Sequence, residues 1–128
     1  MSKYGARKVR YNGIIFDSQK EARRYAELRL LERAGKIRNL EMQKSFELIP
    51  AQYKTVATGE VYQRGDKKGQ PKLKSVCVEN AVTYIADFAY IDEKGYSVVE
   101  DTKGFKTKDY IIKRKLMLYV HGIRIKEI

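Results

Sequence analysis

The segment between residues 84 and 102 constrains the fold of this 128-residue chain more than any other part of the sequence. A long run rich in β-branched and aromatic residues is followed by Asp-Glu-Lys-Gly at residues 92–95 and then by a second apolar run. Two such runs around a short turn predict a β-hairpin. Each predicted strand carries a charge where a core residue is expected, so the fold must accommodate Asp87 on the first strand and Asp101 on the second.

These two aspartates are expected to lie close together. Side chains alternate between the faces of a strand, so Asp101 and Lys103 share one face. Pairing across the hairpin brings Asp87 near Asp101 in any register that the turn allows. Neighbouring, partly buried carboxylates repel each other unless a proton or cation intervenes. The simplest interpretation is a salt bridge from Lys103 to one aspartate at a sheet end, and the alternative is a metal site.

Metal-assisted phosphodiester cleavage needs the residue types that the hairpin combines. Two carboxylates, Asp87 and Asp101, can hold Mg²⁺ or Mn²⁺, and the backbone carbonyl of Thr102 offers a further oxygen ligand. Lys103 can orient the nucleophile and stabilise charge that develops on the phosphate. Glu100 is a second acidic candidate. Alternation favours Asp101, whereas a β-bulge would reverse the choice.

The most secure secondary-structure prediction is a helix that starts near Ser18. Ser18 and Glu21 match the S-x-x-E capping box, and Gly35 is a typical helix-ending residue. Glu21 has two interpretations that can both hold, a helix cap and the acid that completes a metal site. Apolar residues follow at helical spacing: Ala22, Tyr25, Ala26, Leu28, Leu30 and Leu31.

The remaining pattern predicts strands at 38–49 and 53–62, a basic loop or hairpin tip at 63–75, a second helix from Lys108 to about Val120 capped by Thr107, and a final strand at 123–128. Residues 1–12 are polar and basic and are interpreted as an N-terminal arm. The order of helix, several strands, helix and strand predicts an α/β fold around a mixed β-sheet. We expect a single domain over residues 13–128.

The charge of the chain points to a polyanionic partner. Lys and Arg number 27 against 16 Asp and Glu, a formal net charge of +11. Nucleic acid is the commonest such partner, and a solvated basic surface or an RNA-binding assembly protein are the alternatives. The residues predicted to contact nucleic acid are Lys106, Lys108, Lys113, Arg114, Lys115, Lys67, Lys68, Lys72, Lys74, Arg7, Lys8 and Arg10.

Composition also excludes several classes of protein. One histidine and one cysteine cannot build a Cys/His zinc site, and no intrachain disulfide can form. No apolar run is long enough to span a membrane, and no signal-peptide pattern is present at the N-terminus. The expected location is therefore the cytoplasm.

Several motifs resemble the PD-(D/E)XK nuclease superfamily, and more closely a small phage and prophage family within it. The superfamily likeness consists of an acid-bearing N-terminal helix, an Asp on one strand and (D/E)-x-K on the next. The segments that carry the closer likeness are Lys3–Ala6, Phe16–Ala22, Leu31–Gly35, Tyr84–Phe88 and Val99–Phe105. Ala86 stands where the superfamily pattern has proline.

The resemblance implies a restriction-endonuclease-like core, with a mixed central sheet flanked by helices in α-β-β-β-α-β order. It implies a metal-dependent endonuclease, similar to Holliday-junction resolvases, that acts on branched DNA in phage recombination or packaging. Asp87 and Asp101 would bind the metal, Lys103 would be the catalytic lysine, and Glu21 would complete the site. A resolvase cuts two strands symmetrically, so a homodimer is expected. A non-catalytic DNA-binding protein on the same scaffold is the alternative.

Overall fold

The computed structural model describes residues 7–128, and these form two compact units. One unit comprises residues 7–48 and 83–128, and the other comprises residues 49–82. The sequence predicts one domain over 13–128, whereas the structure separates 49–82 because its two strands pair only with each other. The Lys3–Ala6 motif and the first half of the predicted arm lie outside the described residues.

The second half of the predicted arm is a strand, so the arm prediction is wrong there. Strand β1 (Val9–Tyr11) pairs antiparallel with β2 (Ile14–Phe16). The two-residue turn between them is Asn12-Gly13, with φ angles of 54° and 80°. Asn-Gly suits a turn in which both residues have positive φ, and this local signal closes the hairpin.

Helix α1 (Gln19–Arg33) forms where the capping box predicts it. The Ser18 side chain accepts a hydrogen bond from the backbone N–H of Glu21 at 3.1 Å, and Gly35 has a φ of 76° just beyond the helix. Not all of the predicted apolar face is buried, since Leu30 is 65% exposed. The buried side chains of α1 join a cluster with the sheet that contains Phe16, Ala22, Tyr25, Leu28, Ile37, Phe88 and Tyr90.

After strand β3 (Arg38–Ile49) the chain forms a two-stranded ribbon from β4 (Gln52–Val61) and β5 (Pro71–Glu79). The loop predicted at 63–75 is therefore shorter than expected, because residues from Pro71 onward belong to β5. Proline is tolerated there since it occupies the first position of a strand.

The central sheet contains β3, β6 (Val82–Ile91), β7 (Ser97–Asp101) and β8 (Lys126–Glu127) in the order β3-β6-β7-β8. Strands β6 and β7 are antiparallel, and β7 and β8 are parallel. The sheet is therefore mixed, and the predicted α/β class is confirmed. The predicted hairpin is present too, because Asp92 closes the turn by accepting the backbone N–H groups of Lys94 and Tyr96 at 2.9 Å each.

Helix α2 (Lys108–His121) begins at the predicted cap, where Thr107 accepts the N–H of Tyr110 at 3.1 Å. Tyr110 and Met117 are its buried residues, whereas the apolar Ile112 and Tyr119 are 57% and 87% exposed. Neither helix within residues 7–128 has the length and apolar character that crossing a membrane requires.

Candidate functional site

A pocket of about 740 Å³ opens where both helices begin and where β7 ends. The start of α1, the start of α2 and the segment after β7 all contribute to its walls. The pocket therefore collects residues that are distant in sequence. Those that matter chemically are Glu21, Asp87, Asp101, Thr102, Lys103 and Tyr110.

Asp87 and Asp101 meet in this pocket, as the hairpin predicts. The register pairs Phe88 with Glu100, so Asp87 and Asp101 are the next two facing positions. The backbone N–H and the hydroxyl of Thr102 donate to Asp87 Oδ2 at 2.9 and 2.7 Å. Thr102 thus fixes the Asp87 carboxylate beside the end of β7.

The Asp101 carboxylate is fully buried and only half satisfied. Its Oδ2 accepts a 2.5 Å hydrogen bond from the hydroxyl of Tyr84, while Oδ1 accepts none from any residue in the range 7–128. Burial raises the pKa of Asp101 to about 6, and the charge of Asp87 adds to the rise. The Tyr84 bond and Lys103 act in the opposite direction. A buried acceptor without a donor is costly, so Oδ1 is positioned for a further ligand.

Lys103 is held beside this unsatisfied oxygen. Its Nζ lies 3.5 Å from Asp101 Oδ1, an ion pair without a hydrogen bond, and 5.0 Å from the ring centroid of Tyr110. The side chain is 35% exposed, so the ammonium group faces both the carboxylate and the pocket. The salt bridge that the simplest interpretation predicts is therefore present, but it leaves Oδ1 without a hydrogen bond.

Glu21 serves the helix cap and the pocket at once. Its backbone N–H is bound by Ser18, and its carboxylate lines the pocket at 5% residue exposure. Burial raises the pKa of Glu21 to about 7, with further contributions from the charges of Asp87 and Asp17. The acidic groups of the pocket therefore oppose one another's ionisation.

Gln43 joins the site without any signal in the sequence. Its Nε2 donates to Glu21 Oε1 at 3.2 Å and lies 3.5 Å from Asp87 Oδ1. Its backbone has a φ of 52° in the middle of β3, a left-handed conformation that is uncommon for a residue other than glycine. The unusual backbone places an amide between two carboxylates.

Glu100, the competing acidic candidate, is bound by Arg24 and Tyr90. Its two oxygens accept hydrogen bonds from Nε and a terminal nitrogen of Arg24 at 2.6 Å each, and the hydroxyl of Tyr90 donates to it as well. The bond to Glu100 raises the pKa of Arg24. Of the two neighbours, Asp101 is the one that lies in the pocket.

The donor set suits a Mg²⁺ or Mn²⁺ ion that completes its coordination shell with water and substrate, rather than a metal that protein ligands alone would hold. Within residues 7–128 no three His, Cys, Asp or Glu side chains form a ready-made cage. Mg²⁺ commonly uses one or two carboxylates and completes its shell with water and substrate phosphate. Asp87 together with the unsatisfied Oδ1 of Asp101 fits that description.

Two of the predicted nucleic-acid contacts have an acidic partner. Lys106 and Arg114 pair with Glu127 at 3.4 and 3.3 Å, and Glu127 also accepts the hydroxyl of Tyr110 at 2.8 Å. The Tyr110 bond, followed by the nearby cations, lowers the pKa of Glu127. Lys106 and Arg114 therefore have a partner already. No ion pair within residues 7–128 involves Lys108, Lys113, Lys115, Lys67, Lys68, Lys72, Lys74, Arg7, Lys8 or Arg10.

Fold and pocket together define an α/β protein with a buried acidic cluster beside a lysine. Residues 1–126 match a family described as "Protein of unknown function (DUF1064)", and the chain belongs to that family. Comparisons with curated proteins and with solved structures gave no significant match.

Proposed function

We propose that this protein is a divalent-metal-dependent DNA endonuclease that hydrolyses phosphodiester bonds with Mg²⁺ or Mn²⁺. The observation that carries the proposal is the meeting of Asp87 and Asp101 in one pocket with Lys103 beside them. Such a cluster is unfavourable for the fold unless a cation or proton occupies it. A strongly basic chain attracts phosphate, and a metal ion in the pocket would offset the repulsion between that phosphate and the two aspartates.

Each residue then has a distinct part in hydrolysis. Asp87 and Asp101 would hold the cation, with the Thr102 carbonyl and Glu21 as further oxygen donors. When bound, the ion would supply Lewis-acid polarisation of the phosphate and a lowered pKa of water. Lys103 orients the attacking water and stabilises negative charge as it develops on the phosphate oxygens.

The two helix N-termini at the pocket support a phosphate substrate. Helix α1 starts after Ser18 and α2 starts after Thr107, and both residues line the pocket. A helix N-terminus presents backbone N–H groups and a partial positive charge, which favour an anion. These ends offset part of the repulsion between the acidic cluster and a phosphodiester.

The topology supports a restriction-endonuclease-like core. If the β1–β2 hairpin and the β4–β5 ribbon are both treated as additions, the remaining elements run α1-β3-β6-β7-α2-β8, which is the α-β-β-β-α-β order of the PD-(D/E)XK superfamily. Asp87 lies on β6, Asp101 ends β7 and Lys103 follows it, as in the superfamily motif. Membership of that superfamily is therefore part of the proposal.

The proposed substrate is branched DNA such as a four-way junction, met in the cytoplasm of a phage-infected or prophage-carrying bacterium. Cutting two strands symmetrically requires two sites, so the active species is a C₂ homodimer. Ile112 and Tyr119 lie seven residues apart on one exposed face of α2 and offer an apolar dimer surface. Sedimentation of the wild-type chain and of Tyr119→Lys tests this: the dimer is expected to dissociate in the variant.

The central experiment is a gel assay of the purified chain on four-way junction, flap, linear duplex and single-stranded DNA, with Mg²⁺, Mn²⁺ or EDTA. Cleavage is expected with either metal and not with EDTA. Asp87→Ala should abolish cleavage while DNA binding stays equal or becomes tighter, because a charge that repels phosphate has been removed. Asp66→Ala, which removes an exposed acid outside the pocket, serves as the matched control and should cleave normally.

Two other outcomes would reject the proposal. DNA binding without cleavage under every metal condition would favour a non-catalytic binding protein. A preference for RNA over the DNA substrates would favour an RNA-binding assembly protein, the alternative that the net charge of +11 also allows.

A further inference from the structure

The β4–β5 ribbon is exposed along most of its length on both sides. Every residue of β4 except Val56 is exposed, and every residue of β5 except Lys72 and Val76. An isolated two-stranded ribbon is only marginally stable in water. A ribbon of this length that the fold leaves uncovered is therefore suited to a binding partner.

The two faces of the ribbon differ in charge. The register pairs Lys54 with Val76 and Val56 with Lys74, and residues paired across strands share a face. Alternation along β5 places Lys72 on the same side as Lys74. We call the side with Lys54, Lys72 and Lys74 the lysine face.

Between Tyr53 and Ala57 of β4 and between Leu73 and Cys77 of β5, the opposite side, which we call the neutral face, carries no Lys, Arg, Asp or Glu. Its cross-strand pairs are Tyr53 with Cys77, Thr55 with Ser75 and Ala57 with Leu73. The three lysines of β4 and β5 are therefore concentrated on one face and absent from the other.

The two acids of the ribbon strands, Glu60 and Glu79, lie near the strand ends and form no ion pair with the lysine face. Within residues 7–128, none of its three lysines forms an ion pair, whereas Lys36 and Lys44 of the other unit pair with Glu93 and Glu41. Lys72 Nζ instead lies 5.6 Å from the ring centroid of Tyr62. Lys54 and Lys74 are diagonal neighbours across the strands, where like charges repel. The face is thus complementary to a polyanion.

We propose that the lysine face of the ribbon docks on B-form duplex DNA, with the ribbon against the major groove and its ammonium groups on the flanking phosphates. The proposal rests on the proposed function and names the part of the chain that holds its substrate. The major groove of B-DNA admits a two-stranded ribbon. The deep, narrow major groove of A-form RNA does not, so the shape favours DNA.

The test measures binding of the full chain to a fluorescent linear DNA duplex in EDTA, so that cleavage plays no part. The variant Lys54→Thr/Lys72→Thr/Lys74→Thr removes three phosphate contacts. Because about 0.9 counterion is released per neutralised phosphate, the slope of log K against log salt should fall by about 2 to 3. Affinity near 0.1 M salt should weaken roughly 10- to 100-fold.

Two matched variants separate the effect of the lysine face on DNA binding from the effect of net charge. Lys36→Thr/Lys44→Thr/Lys94→Thr removes the same charge from the other unit and should leave the slope within about 1 of wild type. A relocated variant adds Thr55→Lys/Leu73→Lys/Ser75→Lys to the first triple, which restores the net charge on the neutral face. It should bind as weakly as the triple variant. Circular dichroism confirms that each variant is folded.

The inference is overturned if the triple variant keeps the wild-type slope, if relocation restores binding, or if an RNA duplex binds more tightly and depends on the same three lysines. These outcomes are distinguishable from failure of the nuclease proposal. A chain that binds DNA through the lysine face but never cleaves it leaves this inference intact. If the chain cleaves DNA but the triple variant binds DNA as the wild type does, only the nuclease proposal survives.

Discussion

The acidic pocket and the lysine face carry opposite charges in opposite environments. In the pocket, Glu21 and Asp101 are 5% and 0% exposed, and one oxygen of Asp101 accepts no hydrogen bond from any described residue. On the ribbon, Lys54 and Lys74 are exposed, so water solvates their ammonium groups. Burying a charge costs several kcal/mol, whereas an exposed charge costs little.

Because of this difference, the two regions should respond differently when their ligands are absent. The pocket must bind a proton or a cation to relieve its repulsion, so it couples ligand binding to stability. The ribbon can remain empty at small cost. Substitutions in the pocket should therefore move activity and stability in opposite directions, and substitutions on the ribbon should mainly change affinity.

The largest effect is expected for Asp101→Asn. The amide keeps an acceptor for Tyr84 and removes the charge that opposes Asp87, so the metal-free protein should gain about 1 to 2 kcal/mol of unfolding free energy at pH 8. Cleavage should fall by about 10³-fold or more, since several kcal/mol of charge stabilisation are lost with the metal ligand. Denaturant melts and single-turnover cleavage measure the two quantities.

The neighbouring Glu100→Gln is the control for that experiment. Glu100 is fully buried and bound through both oxygens to Arg24, so removing its charge should cost about 3 kcal/mol of stability. The two adjacent substitutions thus have opposite expected signs. Equal destabilisation by both would mean that Asp101 is a structural residue like Glu100.

The pH dependence of stability is the next largest effect. The folded pKa values of Glu21 and Asp101, about 7 and about 6, lie above those of the unfolded chain. The stability from their protonated forms is complete below about pH 4 and is lost as pH rises through 6 and 7. For Glu21 alone the loss is on the order of 3 kcal/mol. Thermal melts in EDTA from pH 5 to pH 8 should show it.

Divalent metal should oppose this loss because it favours the ionised carboxylates. Addition of Mn²⁺ at pH 8 should raise the melting temperature, while at pH 5 it should do little. Glu21→Gln should flatten the EDTA profile, and Glu60→Gln, an exposed acid on the ribbon, should not. A profile that rises with pH in EDTA would contradict the proposed protonation of the pocket.

The parts of the fold that the sequence predicts well are those with local causes. The start of α1 follows from Ser18 and its hydrogen bond to the third residue of the helix, and the start of α2 follows from Thr107 in the same way. The proximity of Asp87 and Asp101 follows from one short turn and the symmetry of an antiparallel register. Each of these inferences spans fewer than about twenty residues.

The parts that could not be predicted depend on distant contacts or on ambiguous composition. Gln43 enters the pocket through contacts with residues 22 and 44 positions away, and no pattern in β3 signals its left-handed backbone. Residues 71–75, the first half of β5, read as part of a basic loop because their composition is polar and basic, and only cross-strand pairing with β4 makes them a strand. Alternation favours Asp101 over Glu100 as the acid of the site. Only the contact with Arg24, which is distant in sequence, shows that the Glu100 carboxylate is already bound.

A smaller effect is expected when the amide of Gln43 is removed. Gln43→Ala deletes the group between Glu21 and Asp87 and keeps the strained backbone, whereas Gln43→Gly deletes the same group and relieves the strain. Calorimetric titration should show Mn²⁺ affinity about 10-fold weaker in both variants, as for groups that orient metal ligands. Gln43→Gly should be more stable than Gln43→Ala by about 1 kcal/mol. Unchanged metal affinity in both would limit Gln43 to a role in the strand.

The smallest effect is expected in the ribbon. Lys74→Thr removes a diagonal repulsion with Lys54 and introduces a residue that favours strands, so the ribbon should become more stable by about 0.2 to 0.5 kcal/mol. Hydrogen exchange of the β4 and β5 amides reads this locally, where a global melt would miss it. The same variant should lower the salt slope of DNA binding by about 1. Ser75→Thr on the neutral face gives the strand-forming gain without the change in slope. If Lys74→Thr destabilised the ribbon instead, the Lys74 side chain would contribute to the packing of the ribbon. The contrast between a pocket destabilised by buried charge and a ribbon whose exposed charge costs little would then fail.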